Sequence, residues 1–482
     1  MAQHEDVLVF DLDGTLIRND LTHELLVLCA RWKPHLLPIA IFKFLVNKSE
    51  AKRYLAEKLH LHYDARHLPY DPDVIELMKA HKGKGARVEI VSGSDHILVQ
   101  KVADHLEVDF FKGSEPGNNL TSARKAAFLR ERHGDSFVYV GNSTADYAVW
   151  RAARKGYGVN APAGSYRLKH TDGKAVEVER LVDKRGWLKP LLKNMRLHQW
   201  AKNVLIFVVP GLVLPTLDAV DFIKLILAFF CFSLLASATY ILNDLFDIPD
   251  DRAHHSKHAR PLASGALSVP LAVTFMAVVI PATIVLSFLI STAFGITTLV
   301  YGVMTCAYSF RLKRLPVLDV FILAGLFMIR VLAGGNVIGA PPTGWLLTFI
   351  GTFFLSLAIG KRYVEVVRTR DKGSVSGRGY VASDEIPLLA MGTAAGFSSV
   401  ISLLIYGLLS ESQIFHSEIT ILMSSALLAA WVLRFWMIAG RGELNDDPVI
   451  FAVKDKVSLL SLGCIGLIMG LDITRPVWAN LF

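Results

Sequence analysis

Asn243 to Gly265 read NDLFDIPDDRAHHSKHARPLASG, directly after an apolar stretch from Phe222 to Leu242. The segment sets Asp244, Asp247, Asp250 and Asp251, then Arg252, Lys257 and Arg260, where a hydrophobic helix would leave a bilayer. Carboxylates three and four residues apart share a helix face and can hold Mg²⁺, and the cations behind them can hold phosphate oxygens. Four carboxylates at a membrane mouth repel one another without a cation. That repulsion distinguishes the segment from an ordinary polar loop and suits it to ionising a diphosphate.

Length and hydropathy divide the chain. With 482 residues, 52% of them hydrophobic, and a mean hydropathy of +0.40, it is too long for one ordinary domain and too apolar for a soluble protein. Residues 1–185 alternate short Val/Ile/Leu/Phe strands with polar helical stretches, which predicts a soluble α/β head with a Rossmann-like order. Residues 186–482 predict an all-α polytopic membrane domain. No cleavable signal peptide is expected, because the apolar run Val7 to Phe10 is interrupted at once by Asp11 and Asp13. The head is therefore expected in the cytoplasm and the body as a multi-pass protein of the inner (cytoplasmic) membrane. Cys231, Cys306 and Cys464 fall in apolar stretches and Cys29 in the head, with no disulfide or zinc spacing.

From Asn203 onward about nine stretches are long enough to span or nearly span a bilayer. The first, 203–217, is short and interrupted by Pro210 and Pro215. Charge supplies the orientation. With the head inside, the cytoplasmic connections carry Arg252, Lys257, Arg260, Arg311, Lys313, Arg314, Lys361, Arg362, Arg368, Arg370, Lys372, Arg378, Arg441, Lys454 and Lys456. The opposite connections, near 211–220, 290–293, 337–345 and 411–417, contain no Lys or Arg. This is the positive-inside asymmetry, and an odd number of spans would leave Arg475 outside. It also accounts for much of the +8 net charge, so nucleic-acid binding is not required.

Two further cytoplasmic loops carry chemistry. Tyr308 to Asp319, YSFRLKRLPVLD, supplies Arg311, Lys313 and Arg314 with Asp319 at the mouth of the next stretch. Arg330 follows about three turns deeper, in MIRVLAGG, with Gly334 and Gly335 beyond it. A charge at that depth needs a polar cavity, unless it snorkels to the interface. Gly360 to Asp371, GKRYVEVVRTRD, holds only Glu365 and Asp371 as acids, among Lys361, Arg362, Arg368 and Arg370.

The Asn-Asp-x-x-Asp-x-x-x-Asp spacing from Asn243 to Asp251 resembles the first Asp-rich motif of the UbiA superfamily of intramembrane prenyltransferases. The family usually carries a second Asp-rich motif in the third loop, and the cationic GKRYVE segment departs from it. Together the motifs are similar to the branch of that superfamily that contains the decaprenyl-phosphate phosphoribosyltransferases. The resemblance implies transfer of 5-phosphoribose from phosphoribosyl pyrophosphate to a polyprenyl phosphate within the lipid bilayer. It assigns Mg²⁺ to Asp244, Asp247 and Asp251, and phosphate groups to Asn243, Lys257, Arg260, Lys313, Arg330, Lys361 and Arg362.

In the head, Val7 to Leu16 read VLVFDLDGTL, an apolar strand ending in Asp-x-Asp-Gly-Thr. This resembles the haloacid dehalogenase superfamily of phosphohydrolases. The resemblance implies that Asp11 attacks phosphorus and Asp13 protonates the leaving oxygen. It further implies that Ser92 in VEIVSGS binds the phosphoryl group, that Lys125 neutralises it (Lys112 being the alternative), and that Asp146 in VYVGNSTAD joins Asp11 and Asp13 at Mg²⁺. Asn142 departs from the aspartate that most relatives have there and removes one negative charge. Residues from about 20 to 82 form a helical insert, the place of a small cap. Within it Leu36 to Val46, LLPIAIFKFLV, is too short to span a membrane, and reads as a core helix or an interfacial one flanked by Trp32, Lys33, Lys43 and Lys48.

The leading expectation is a bifunctional enzyme that makes a polyprenyl-linked phosphopentose and trims its 5-phosphate to polyprenyl-phosphoryl-ribose. A second reading makes the body a prenyltransferase using a prenyl diphosphate, with a separate or regulatory phosphatase head. A third, from another class, is a non-enzymatic lipid-binding or transport module.

Overall fold

The computed structural model describes residues 7–170, 173–369, 378–409, 415–444 and 448–475. Arg370, Asp371 and Lys372 of the third loop lie outside the described residues. The chain forms two compact units: residues 1–195 with 240–276, and residues 196–239 with 277–482. The Asp-rich segment therefore belongs to the same unit as the head.

The first unit is built on a parallel sheet of six strands, ordered β3-β2-β1-β4-β5-β6. These are β1 Val7–Phe10, β2 Arg87–Asp95, β3 Phe110–Ser114, β4 Phe137–Gly141, β5 Lys155–Val159 and β6 Val178–Val182. Strand β1 is apolar throughout because it is buried on both faces, pairing Phe10 with Ile90 on one side and Val140 on the other. It sits where the strand order reverses, the point at which α/β sheets open a crevice beyond their carboxyl ends. Asp11 is the first residue past that end.

Between β1 and β2 run the helices Leu21–Trp32, Leu37–Val46, Lys48–Leu59 and Pro72–Lys82. Three have side-chain N-caps that satisfy otherwise orphaned amides: Asp20 accepts from Thr22, Asn47 from Ser49 and Glu50, and Asp71 from Asp73. Leu21, Leu25, Leu28, Leu55 and Leu59 join the sheet residues Leu8, Phe10, Ile90 and Val140 in one core. The stretch expected to be a helical insert is helical.

Among the described residues, eight helices are long and apolar enough to cross a membrane. They are Ala219–Phe246, Val269–Ile290, Thr292–Phe310, Leu318–Ile338, Gly344–Arg368, Glu385–Leu409, Glu418–Gly440 and Lys456–Ile473. This corrects the first of the expected stretches and, with it, the expected odd number of spans, since the continuous helices among the described residues number eight. Residues 203–217 do not make a continuous helix but a 3₁₀ segment Leu197–Phe207, a short α-helix Val208–Leu212 and a 3₁₀ turn Leu214–Thr216. Pro210 and Pro215 lack the amides a continuous helix needs.

In the second unit the Leu197–Phe207 segment presses on the Leu318–Ile338 helix. A Cβ at Gly334 would lie 1.8 Å from the Ile206 carbonyl oxygen, so only glycine permits that approach. The aromatic side chains Phe354, Trp431, Phe435 and Trp436 fill the core of this unit.

Candidate active sites

The first site lies at the carboxyl end of β1. Asp11 is 8% exposed, and its amide donates to the Val140 carbonyl at 2.9 Å, which anchors the loop to β4. Lys125, from the helix Ala123–His133, donates to the Asp11 carboxylate at 2.9 Å and to the Tyr139 hydroxyl at 3.0 Å. It also stands 3.8 Å from Asp146. Burial raises the Asp11 carboxyl above the ordinary range despite Lys125. Burial also works against the Lys125 ammonium, but Asp11 and Asp146 hold it above the ordinary lysine range. Lys125, not Lys112, is the lysine beside Asp11, while Lys112 pairs with Glu115 at 2.8 Å.

Asp13 accepts from the Leu21 amide at 2.9 Å and from the Ser94 hydroxyl at 2.5 Å. Burial, with the nearby Asp20 charge, raises its carboxyl to about 7. A carboxyl titrating near neutrality can hold and release a proton in one cycle. Ser92 is fully buried, and its hydroxyl accepts the Ser94 amide at 3.1 Å. Ser94, not singled out from the sequence, is thus the serine that touches an acid. Its only signal was the repeated serine in VSGS.

Gly14 adopts φ +71°, and a Cβ there would meet the Asn142 amide nitrogen at 2.1 Å. Asn142 therefore lies over the Asp-x-Asp-Gly turn. Asp146 is 1% exposed, and its two oxygens already accept from the Asn142 and Ser143 amides, the Ser143 hydroxyl and the Tyr139 hydroxyl. Its observed work is to brace the turn after β4. Asp11 and the Asn142 carboxamide are hard oxygen donors that fit a divalent cation, with Asp146 behind them.

A cavity of about 370 Å³ opens at this site. Asp13, Gly14, Asn142, Asp20 and His23 line it together with Arg18, Arg185, Trp187 and the stretch Gly265, Ala266, Ser268, Val269, Pro270 and Leu271. That last stretch directly follows the Asp-rich segment. Gly265, at φ +70°, leaves no room for a Cβ, which would sit 2.6 Å from the Arg18 Cβ.

The second site is the Asp-rich segment. Arg260 donates to Asp244 at 3.1 Å and to Asp251 at 2.7 Å, and both carboxylates are nearly inaccessible. Burial raises the Asp251 carboxyl even with Arg260 beside it. Asp247 stands at the N-cap position of the short helix Ile248–Ala253 without a side-chain cap bond, its carboxylate instead accepting from the Asn243 amide group at 2.9 Å. Asp250 turns away to Arg31 at 2.7 Å. Lys257 is exposed. Oxygen-only ligands of this kind fit Mg²⁺, which is usually held by one or two carboxylates plus substrate phosphates. Among the described residues, no group of three or more His, Cys, Asp or Glu side chains forms a preassembled metal cage.

Two cationic clusters occupy the second unit. Arg330 is 5% exposed and donates to Asn203 at 2.8 Å, to the Tyr301 hydroxyl at 3.1 Å and to the Leu326 carbonyl. This polar nest explains how a charge is tolerated at that depth. Asn203 in turn donates to Ser233 at 2.9 Å. Arg362, 1% exposed, donates to Asp319 at 2.7 Å, to Tyr308 at 3.2 Å and to Glu365, while the Tyr380 hydroxyl donates to Asp319 at 2.7 Å. Arg362 is thus the hub of a buried ion network. Lys361 precedes it, half-buried on the same helix, and Lys313 lies on the 3₁₀ turn Leu312–Arg314.

The UbiA prenyltransferase family model matches residues 204–458, more than half the chain. The chain belongs to the UbiA prenyltransferase family. Its N-terminal domain is haloacid dehalogenase-like, the hydrolase model matching residues 8–151. A protein of Sinorhizobium fredii, named only as uncharacterized protein y4nM, is 34% identical over 94% of this chain and 88% of its own length. The nodulation protein NoeC of Azorhizobium caulinodans is 33% identical over 57% of this chain and 90% of its own. The decaprenyl-phosphate phosphoribosyltransferase of Mycolicibacterium smegmatis is 29% identical over 58% of this chain and 91% of its own. This UbiA-family member is thus a multi-pass membrane enzyme with a phosphatase-type domain at its N-terminus, both parts from metal-using families.

Proposed function

We propose that this chain transfers 5-phosphoribose from phosphoribosyl pyrophosphate to a polyprenyl phosphate, and that its head removes the 5-phosphate to leave polyprenyl-phosphoryl-ribose. Support for the transferase comes from the decaprenyl-phosphate phosphoribosyltransferase relatives. The observation that carries the coupled reading is the packing of the Asp-rich segment in the head's own unit, with its Gly265–Leu271 continuation lining the phosphatase cavity.

In this reading Asp244, Asp247 and Asp251 would hold Mg²⁺, which would supply charge neutralisation for the departing pyrophosphate. Arg260, already between Asp244 and Asp251, turns its guanidinium to phosphate oxygens. Lys257, Lys313, Arg330 and Lys361 add positive field for donor and acceptor phosphates, whereas Arg362 would reach a phosphate only by releasing Asp319 and Glu365. The lipid phosphate attacks the sugar C1 as the pyrophosphate leaves. In the head, Asp11 attacks the 5-phosphorus, Lys125 steadies its charge, and Asp13 gives its proton to the leaving alkoxide and then takes one from the hydrolytic water. The head faces the cytoplasm, the side of the water-soluble donor, and the membrane is the inner one.

A second reading, prenyl transfer from a prenyl diphosphate, draws on the Arg362 network, whose Asp319 and Glu365 supply acid in a region otherwise rich in cations. Purified full-length protein given either donor with polyprenyl phosphate separates the two. Mass spectrometry should find a phosphoribosylated lipid from phosphoribosyl pyrophosphate, and a product only from the prenyl diphosphate would reverse the choice.

A further inference from the structure

Arg18 and Arg185 approach one buried carboxylate. Arg18 lies 3.3 Å and Arg185 2.7 Å from the same oxygen of Asp71, which is 1% exposed. Two guanidiniums sharing one carboxylate leave a net positive charge, and both line the cavity that Asp13 and Asn142 also line. Arg185 is held in place from its backbone, whose amide donates to Asn160 at 3.0 Å. Trp187, Val269, Pro270 and Leu271 give the same cavity apolar wall. An acid end, a cationic pair and an apolar wall in one cavity match a phosphomonoester whose alcohol also bears a phosphodiester with a hydrocarbon chain.

We propose that Arg18 and Arg185 form a second anion subsite that selects substrates carrying this additional phosphate. The proposal rests on the reading of the head as a phosphomonoesterase. Arginine binds phosphate by charge-assisted, often bidentate hydrogen bonds, so the expected preference is about tenfold or more. The test measures phosphate release by full-length protein in detergent from ribose 5-phosphate, methyl-phosphoryl-ribose 5-phosphate and farnesyl-phosphoryl-ribose 5-phosphate. The two diesters should exceed ribose 5-phosphate in kcat/KM about tenfold. That ratio should shrink severalfold in Arg18→Met and Arg185→Met, mainly through KM, with partial recovery in Arg185→Lys. Each single variant leaves Asp71 its other arginine, which protects the fold. Farnesyl above methyl marks a lipid-borne substrate, and equality marks a soluble diester. A ratio near one in the wild type, or one unchanged in both methionine variants, overturns the subsite alone. No release from any substrate overturns the phosphomonoesterase reading and the subsite with it.

A separate observation carries a second proposal. Of the ten residues of Leu37–Val46, only Ala40 is buried, while Ile41, Phe42, Leu45 and Val46 are 54%, 66%, 81% and 71% exposed. Arg31, just before Trp32, donates to the carbonyl of Phe246, the last residue of a membrane-spanning helix, at 2.8 Å. Lys33 and Lys48 flank the apolar helix, Lys33 donating to the Lys58 carbonyl at 2.9 Å and Lys48 exposed, Lys43 lies within it, and at about 15 Å it is too short to cross a bilayer. We propose that this cap helix lies in the headgroup region of the membrane, its apolar side chains toward the acyl chains and Lys43 and Lys48 toward anionic lipid.

In nanodiscs of anionic lipid, full-length protein with its native cysteines replaced by serine would carry a polarity-sensitive dye at Phe42→Cys or Val46→Cys, and at Glu57→Cys as the exposed control. Blue-shifted emission quenched by doxyl-labelled lipid is expected at 42 and 46 and not at 57. Emission at both positions matching that at 57 overturns the proposal, as does cross-linking between two copies at 42 without lipid quenching.

Discussion

Arg252 and Glu24 form a doubly hydrogen-bonded ion pair, at 2.7 and 2.6 Å, across 228 residues of chain. Both side chains are more than nine-tenths buried, at 8% and 7% exposure. Arg252 follows the last aspartate of the Asp-rich segment, and Glu24 lies on the first cap helix. Asn19 donates to the same Glu24 carboxylate at 2.9 Å, and Arg252 also donates to the Ala263 carbonyl at 2.9 Å. One pair therefore joins the cap to the loop that bears the proposed pyrophosphate site.

Breaking that pair one-sidedly should be costly, because it leaves a charge buried without a partner. Arg252→Met is expected to destabilise the unit by about 3–5 kcal/mol, and the double variant Glu24→Leu/Arg252→Met to recover much of this. Thermal unfolding of the purified chain measures both. Equal melting temperatures for Arg252→Met and wild type would refute the role assigned to the pair.

The same pair sets a pH dependence. Burial pushes the Glu24 carboxyl up, but Arg252 and Asn19 outweigh it and hold the group below its ordinary value of 4.5. A depressed folded value means the pair's contribution is complete above the unfolded value and is lost as pH falls through the folded one. Amide hydrogen exchange in residues 252–263 should thus be unchanged from pH 7 to 5, after correction for the intrinsic rate, and should rise below about pH 4. Uniform protection down to pH 3 would count against it.

Within the Asp-rich segment, the aspartates should separate by partner. Asp244→Asn removes a carboxylate that faces Arg260 and is expected to lower transfer at least a hundredfold, roughly the scale for losing a metal ligand or an oriented charge. Asp250→Asn removes only the contact to Arg31 and should stay within about threefold, as an exposed pair contributes little. Initial rates of lipid-product formation decide, and comparable losses in the two variants would contradict the geometry.

Asp11→Asn should leave the transferase running while the phosphorylated lipid accumulates. In the proposed mechanism the aspartate acts in the head alone, and the cation bonded to it, Lys125, belongs to the same site. Mass spectrometry of the lipid extract reads the ratio of phosphoribosylated to ribosylated product. Identical lipid products from Asp11→Asn and wild type would show that the head has another substrate.

Orientation is testable in intact cells. The positive-inside asymmetry predicts that a cysteine at Arg441 is shielded from an impermeant thiol reagent and that one at Thr343 is labelled. The opposite pattern would put the head on the side away from its water-soluble donor.

Much of this molecule was legible in local sequence. The period and composition of residues 7–16, 88–94 and 138–146 mark buried strands, and VLVFDLDGTL marks the strand end at which Asp11 stands. Long apolar stretches mark the membrane helices, and only 203–217 failed, because Pro210 and Pro215 break it into turns. Hydropathy over a window and a motif within ten residues are properties of neighbours along the chain. They carry fold class and residue type without long-range information.

What only the tertiary structure decided are partners far apart in the chain. The sequence presents four equivalent aspartates, whereas folding turns Asp244 and Asp251 to Arg260 and Asp250 to Arg31. It presents Ser92 and Ser94 alike, and the β2 geometry sends Ser94 to Asp13. It presents Arg362 as an open cation, and packing closes it on Asp319 and Glu365. Above all, the sequence puts the Asp-rich segment after a membrane helix, but burial of Arg252 against Glu24 and of Gly265 against Arg18 assigns it to the head's unit. A charge finds its partner through three-dimensional desolvation and reach, and no periodicity in one dimension encodes which of several identical carboxylates it will meet.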